Sequence, residues 1–146
     1  MKLVTVMRRT PRPWTVLLFR VAAVLQALLI FLQAILAGRF LSGGYGALSM
    51  HSANAMLTTF VGMLAIAAAV LVWRPGGGPA RPIIPAVVMV VLETVQMGLG
   101  MGRVLTLHVP LGTALLVGAL TLVRLAFRLG SGKDAPSRAE RVTEVV

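Results

Sequence analysis

The sequence predicts an all-α integral membrane protein, an up-down-up-down four-helix bundle with both termini cytoplasmic. Three observations predict it. Hydrophobic residues make up 58 % of the 146 residues and charged residues only 12 %, against roughly 45–50 % and about 25 % in a soluble domain, and the mean hydropathy is +0.90. Four apolar stretches each approach the roughly 20 residues that a helix needs to cross a bilayer. The short connections left between them predict a single membrane domain over 1–146. Finally, of the 14 Lys and Arg residues, twelve lie in or beside the N-terminal segment, the middle loop and the C-terminal tail, and only Arg39 and Arg103 lie in the other two loops. That asymmetry follows the positive-inside rule and predicts which loops face the cytoplasm.

Taken in order, Lys2, Arg8, Arg9 and Arg12 form a basic stretch before Trp14, a residue suited to the membrane interface. The first span is predicted over about 16–38, with Arg20 near its start and its charge snorkelling to the headgroups. A basic start before an apolar run also resembles a secretory signal, but the run is long and three more spans follow. The next loop is rich in glycine at Gly43, Gly44 and Gly46, and Ser49 is a plausible N-cap for a second span over about 50–73. Pro75, three glycines and Pro79 then make a breaker loop that ends this helix. The third span is predicted over about 83–101. After a turn of a few residues, Thr106 is a plausible cap for the fourth span, over about 107–126. Residues 128–146 read as a polar tail.

The chemistry-bearing residues are few. His51 and His108 each lie two residues after a hydroxyl residue, Ser49 or Thr106, in the first turn of a helix that enters from the outer side. In this topology the second and fourth helices face each other across the bundle, so the two imidazoles share a depth near the outer face. Imidazole binds haem iron axially, and cofactor sites in bundles are built from facing helices. Gly98, Gly100 and Gly112 lie at heights where a porphyrin would approach the backbone, and Arg39 and Arg103 supply cations for its two propionates. The same histidines also suit a purely structural role or another metal, and small residues also serve plain helix packing.

Glu93 is the one acidic residue inside the spans, and Gln96 follows it on the same face. A carboxyl at that depth is costly and faces the bundle interior. It is a candidate proton relay or cavity residue, with Gln26 or Gln33 of the first span as possible hydrogen-bond partners. Met97 is an alternative axial ligand.

This arrangement resembles one half of the haem A synthase family, whose halves are four-helix bundles with a histidine near the outer end of the second and fourth helices. The resemblance covers about 14–127 and implies that His51 and His108 form the haem-ligand pair. The family also places a glutamate one turn before the first ligand, where this chain has Leu48. With one half present, the resemblance implies a stand-alone membrane cytochrome b rather than a synthase. The pattern is similar, more loosely, to small b-type cytochrome subunits that anchor dehydrogenases or oxidases.

The leading expectation is therefore a bacterial inner-membrane, multi-pass protein that binds haem b through His51 and His108. It would transfer electrons with a quinone or a membrane redox complex. Two other readings stand beside it: a non-catalytic accessory or assembly subunit of a larger membrane complex, and a small proton-coupled carrier built on Glu93. The sequence contains no cysteine, so covalent haem attachment and thiolate metal sites are excluded. No nucleophile paired with a base is evident, so an enzyme working through its side chains alone is not expected. Nucleic-acid binding is not expected either, because the basic segments are short and lack interleaved aromatics.

Overall fold

The computed structural model describes residues 10–130. The basic stretch before residue 10 and the tail from residue 131 lie outside them. Four helices make up the architecture: α1 (Pro13–Leu41), α2 (Ala47–Trp73), α3 (Ile83–Met101) and α4 (Leu105–Arg128). No strand occurs among the described residues, and all four helices are long and apolar enough to cross a membrane.

The third span matches its expected bounds, while the other three helices are longer than expected. Helix α1 starts at Pro13, because a proline's fixed φ and missing N–H suit the first helical position. Ser49 and Thr106 are not caps, which corrects the sequence reading. Helix α2 begins at Ala47 and α4 at Leu105, and neither has a side-chain cap. Backbone turns take the caps' place: the amides of Ala47 and Leu48 donate to Gly44 O and Tyr45 O, and those of Leu107 and His108 both donate to Val104 O. The Ser49 hydroxyl donates backwards to Gly46 O at 2.9 Å. The earlier start of α4 also puts Pro110 inside the helix.

Each helix packs on its neighbours in chain order, and α1 closes the ring against α4, whereas the backbones of the diagonal pairs α1–α3 and α2–α4 stay apart. One end of the ring brings together the start of α1, the end of α2 and the end of α4. There the Arg12 amide donates to Gly76 O at 2.9 Å. Arg20 does not snorkel freely: its guanidinium donates to Ala126 O at 3.2 Å and Leu129 O at 2.9 Å and sits over the Phe127 ring. It therefore satisfies carbonyls that the end of α4 would leave open.

The apolar core is concentrated toward that end, where Phe19, Ala69, Val72, Ala119, Leu122 and Ala126 are almost fully enclosed. Small residues let the backbones approach where lipid gives no hydrophobic drive for helix association. Toward the opposite end the interior becomes polar, with Gln26, Asn54, Thr58 and Glu93 all buried. The candidate site residues belong to this polar half.

Candidate cofactor site

His51 and His108 project from the early turns of α2 and α4 across the diagonal that their backbones leave open. Their ring centroids are 6.2 Å apart and the rings are tilted by 53°. Each imidazole is anchored in the same way. His51 Nδ1 lies 3.1 Å from the main-chain oxygen of Gln33 on α1, and His108 Nδ1 lies 3.0 Å from that of Gln96 on α3. A carbonyl oxygen only accepts, so each Nδ1 is the N–H donor, and the neutral ring keeps its lone pair on Nε2. Neither Nε2 is bonded to another described residue. Fixing one ring nitrogen on a carbonyl while the other keeps a free lone pair is how proteins orient histidines as metal ligands.

The two hairpins thus repeat a device: a histidine near the start of the second helix leans on the main chain of a glutamine in the first. The second hairpin makes it reciprocal, since the Gln96 side-chain amide donates to His108 O at 2.8 Å. In the first hairpin the corresponding tie is made by Asn54, whose amide donates to Leu29 O at 2.9 Å. The sequence showed the histidine spacing but not these anchors, because any residue offers a main-chain carbonyl.

The chain finds no match among known protein families, curated proteins or solved structures. The site must be read from its own geometry.

The glycines take specific places around it. A Cβ at Gly100 would stand 2.9 Å from His108 Cε1, and a Cβ at Gly112 would stand 2.9 Å from Gln96 Nε2. These two residues therefore make room for the imidazole and for the amide that braces it, while Gly98 faces open space. Arg39 lies in the last turn of α1, and Arg103 lies in the turn between α3 and α4 with a φ of 56°. Both side chains are exposed at the histidine end. Met97 accepts a hydrogen bond from the Thr59 hydroxyl at 3.7 Å.

The other diagonal carries the second candidate group. Gln26 on α1 donates from Nε2 to Glu93 Oε1 on α3 at 2.7 Å, fully inside the bundle. Gln26, rather than Gln33, is thus the residue that answers Glu93. Gly62 of α2 sits against both, and a Cβ there would be 2.8 Å from Gln26 Nε2 and 3.0 Å from Glu93 Oε2. Gln96 lies one turn along α3 but bonds to α4 rather than to Glu93. Glu93 and Gln96 therefore belong to separate contacts on one helix face.

Proposed function

We propose that this chain is a membrane cytochrome of b type, with His51 and His108 as the two axial ligands of one haem near the outer face. The observation that carries the reading is the neighbouring imidazole pair, 6.2 Å between ring centroids, with neither Nε2 bonded to another described residue. Two imidazoles binding one metal from opposite sides, with metal–nitrogen bonds of about 2 Å, place their ring centroids about 6 Å apart. The separation of 6.2 Å suits that arrangement. Among the described residues no group of three or more His, Cys, Asp or Glu side chains comes together. A bare ion here would have two protein ligands, whereas a porphyrin brings four nitrogens of its own and asks the protein only for axial ones.

In this reading the membrane topology is up-down-up-down with both termini cytoplasmic, and the location is a bacterial inner membrane. The sequence supports that sidedness, since twelve of the 14 Lys and Arg residues lie in or beside the N-terminal segment, the middle loop and the C-terminal tail. Arg39 and Arg103, at the histidine end, are the cations available to the propionates. Arg103 supports this by its backbone. A side-chain-bearing residue at a φ of 56° costs about 1 kcal/mol that glycine would avoid, so the side chain gives a reason for the residue. Bound haem would supply reversible one-electron transfer. The chain's part would be to fix the two imidazoles through the Gln33 and Gln96 carbonyls, with Gly100 leaving room for the His108 ring, and to meet a quinone or membrane redox partner.

The test is an absorption spectrum of the detergent-purified full chain before and after haem addition. A Soret band that His51→Ala and His108→Ala each abolish supports the proposal. A spectrum without one after supplementation contradicts it.

A further inference from the structure

We infer that Glu93 and Gln26 form a proton-binding site inside the bundle, an exchangeable proton residing on Glu93 Oε2. Glu93 is 4 % exposed and Gln26 0 %, so neither reaches solvent. Their one hydrogen bond, Gln26 Nε2 to Glu93 Oε1 at 2.7 Å, uses one oxygen of the acid and one end of the amide. The remaining oxygens, Glu93 Oε2 and Gln26 Oε1, are buried and have no hydrogen-bond partner. An ionised carboxylate and an amide carbonyl only accept, so without a further hydrogen each partner keeps one buried acceptor unmet. One proton on Oε2 changes that. The acid O–H becomes a donor, and the buried amide oxygen is an acceptor of the right chemical kind for it. Buried polar atoms left unpaired are costly, so this bookkeeping favours the proton-bearing pair.

Among the described residues the nearby donors are committed elsewhere: Asn54 donates to Leu29 O and the Thr58 hydroxyl to Asn54 O. The further titratable groups on the helices packed around Glu93 are Arg20 and Arg39 on α1, His51 on α2, and His108, Arg124 and Arg128 on α4. Arg20 is committed to carbonyls at the end of α4, and the histidines are anchored on Gln33 and Gln96. Among the described residues, the hydrogen bond to the Glu93 carboxyl comes from Gln26. A metal ion in place of the proton would find no third His, Cys, Asp or Glu side chain among the described residues. Gly62 keeps its own helix close, since any side chain there would meet both partners. The site does not depend on haem being bound.

The test is infrared spectroscopy of the full-length protein in lipid nanodiscs at neutral pH, in H2O and in D2O. The expected result is a protonated-carboxyl C=O band that moves to lower frequency in D2O, disappears in Glu93→Gln and moves to higher frequency in Gln26→Leu. The remaining acids, Asp134, Glu140 and Glu144, lie in the polar tail of the sequence, so Glu93→Gln isolates the one in question. Glu93→Gln matches the acid in shape and keeps a donor, so it retains helicity, which is checked by circular dichroism. If Gln26→Leu does not fold, the Glu93→Gln comparison decides alone. A wild-type spectrum without the band, a band unmoved in D2O, or a band retained by Glu93→Gln overturns the inference.

Discussion

The two diagonals of the bundle carry two polar pairs of opposite construction. Across α2–α4, the ring centroids of His51 and His108 lie 6.2 Å apart without a hydrogen bond between them, and each is tied by Nδ1 to a helix of its own hairpin. Across α1–α3, Gln26 and Glu93 bond directly at 2.7 Å and leave an oxygen on each partner unmet. In the first pair neither Nε2 is bonded to another described residue, and the proposed haem would take both as ligands. In the second, one buried acceptor oxygen on each partner is left unmet, a shortfall that the proposed proton would relieve. One scaffold thus has a histidine pair toward one end and a directly bonded acid–amide pair deeper in. The histidine rings are half-buried, whereas the Gln26–Glu93 pair is enclosed. Partial exposure would suit the proposed haem, which must reach redox partners, and enclosure would suit the inferred proton site.

Substitutions that touch one diagonal and spare the other test this difference. The largest effect is expected at the histidines: His51→Ala or His108→Ala abolishes haem retention, read as loss of the Soret band, while the thermal midpoint of the apoprotein moves little. If the midpoint collapses with either change, the histidines are structural and the contrast fails. Next, Glu93→Leu removes the acceptor for a buried amide and costs about 1–3 kcal/mol, seen as a lower unfolding midpoint, whereas Glu93→Gln stays near wild type. Equal losses in the two variants would break the acid–amide reading. Gly62→Ala crowds a Cβ against Gln26 and Glu93 and costs about 1–3 kcal/mol, with haem retention unchanged. A loss of haem in that variant would join two sites that the geometry keeps apart. The smallest effect is at Arg103: Arg103→Gly relieves the left-handed backbone and raises stability by about 1 kcal/mol, yet weakens haem retention. If affinity is unchanged, the arginine has no part in holding the propionates.

The sequence made the helices legible because span length and hydropathy are properties of the segment itself. The breaker loops and the third span, over 83–101, were readable for the same reason. The helix starts were misread at Ser49 and Thr106, because the sequence shows a capping side chain but not a backbone turn that can replace it. His51 and His108 could be paired from their spacing, since equal offsets in parallel helices mean equal depth. Their anchors on Gln33 and Gln96 could not, because a main-chain acceptor has no residue signature. Gln26 was visible as one of two partners for Glu93, and only the packing of α1 against α2 and α4 chooses between them. The same limit applies to Arg20. Whether a guanidinium reaches headgroups or the end of a neighbouring helix depends on where that helix stops.

The central claim is that the opposed imidazoles are a haem-ligand pair, and the most direct measurement is the absorption spectrum of the purified full chain titrated with haem. The account predicts saturation at one haem per chain, with a Soret band and low-spin bis-histidine features. It also predicts that acid–acetone extraction removes the haem, since the chain has no cysteine to hold it covalently. A titration that shows only the spectrum of free haem, or a band that survives in the His51→Ala/His108→Ala double variant, would contradict it.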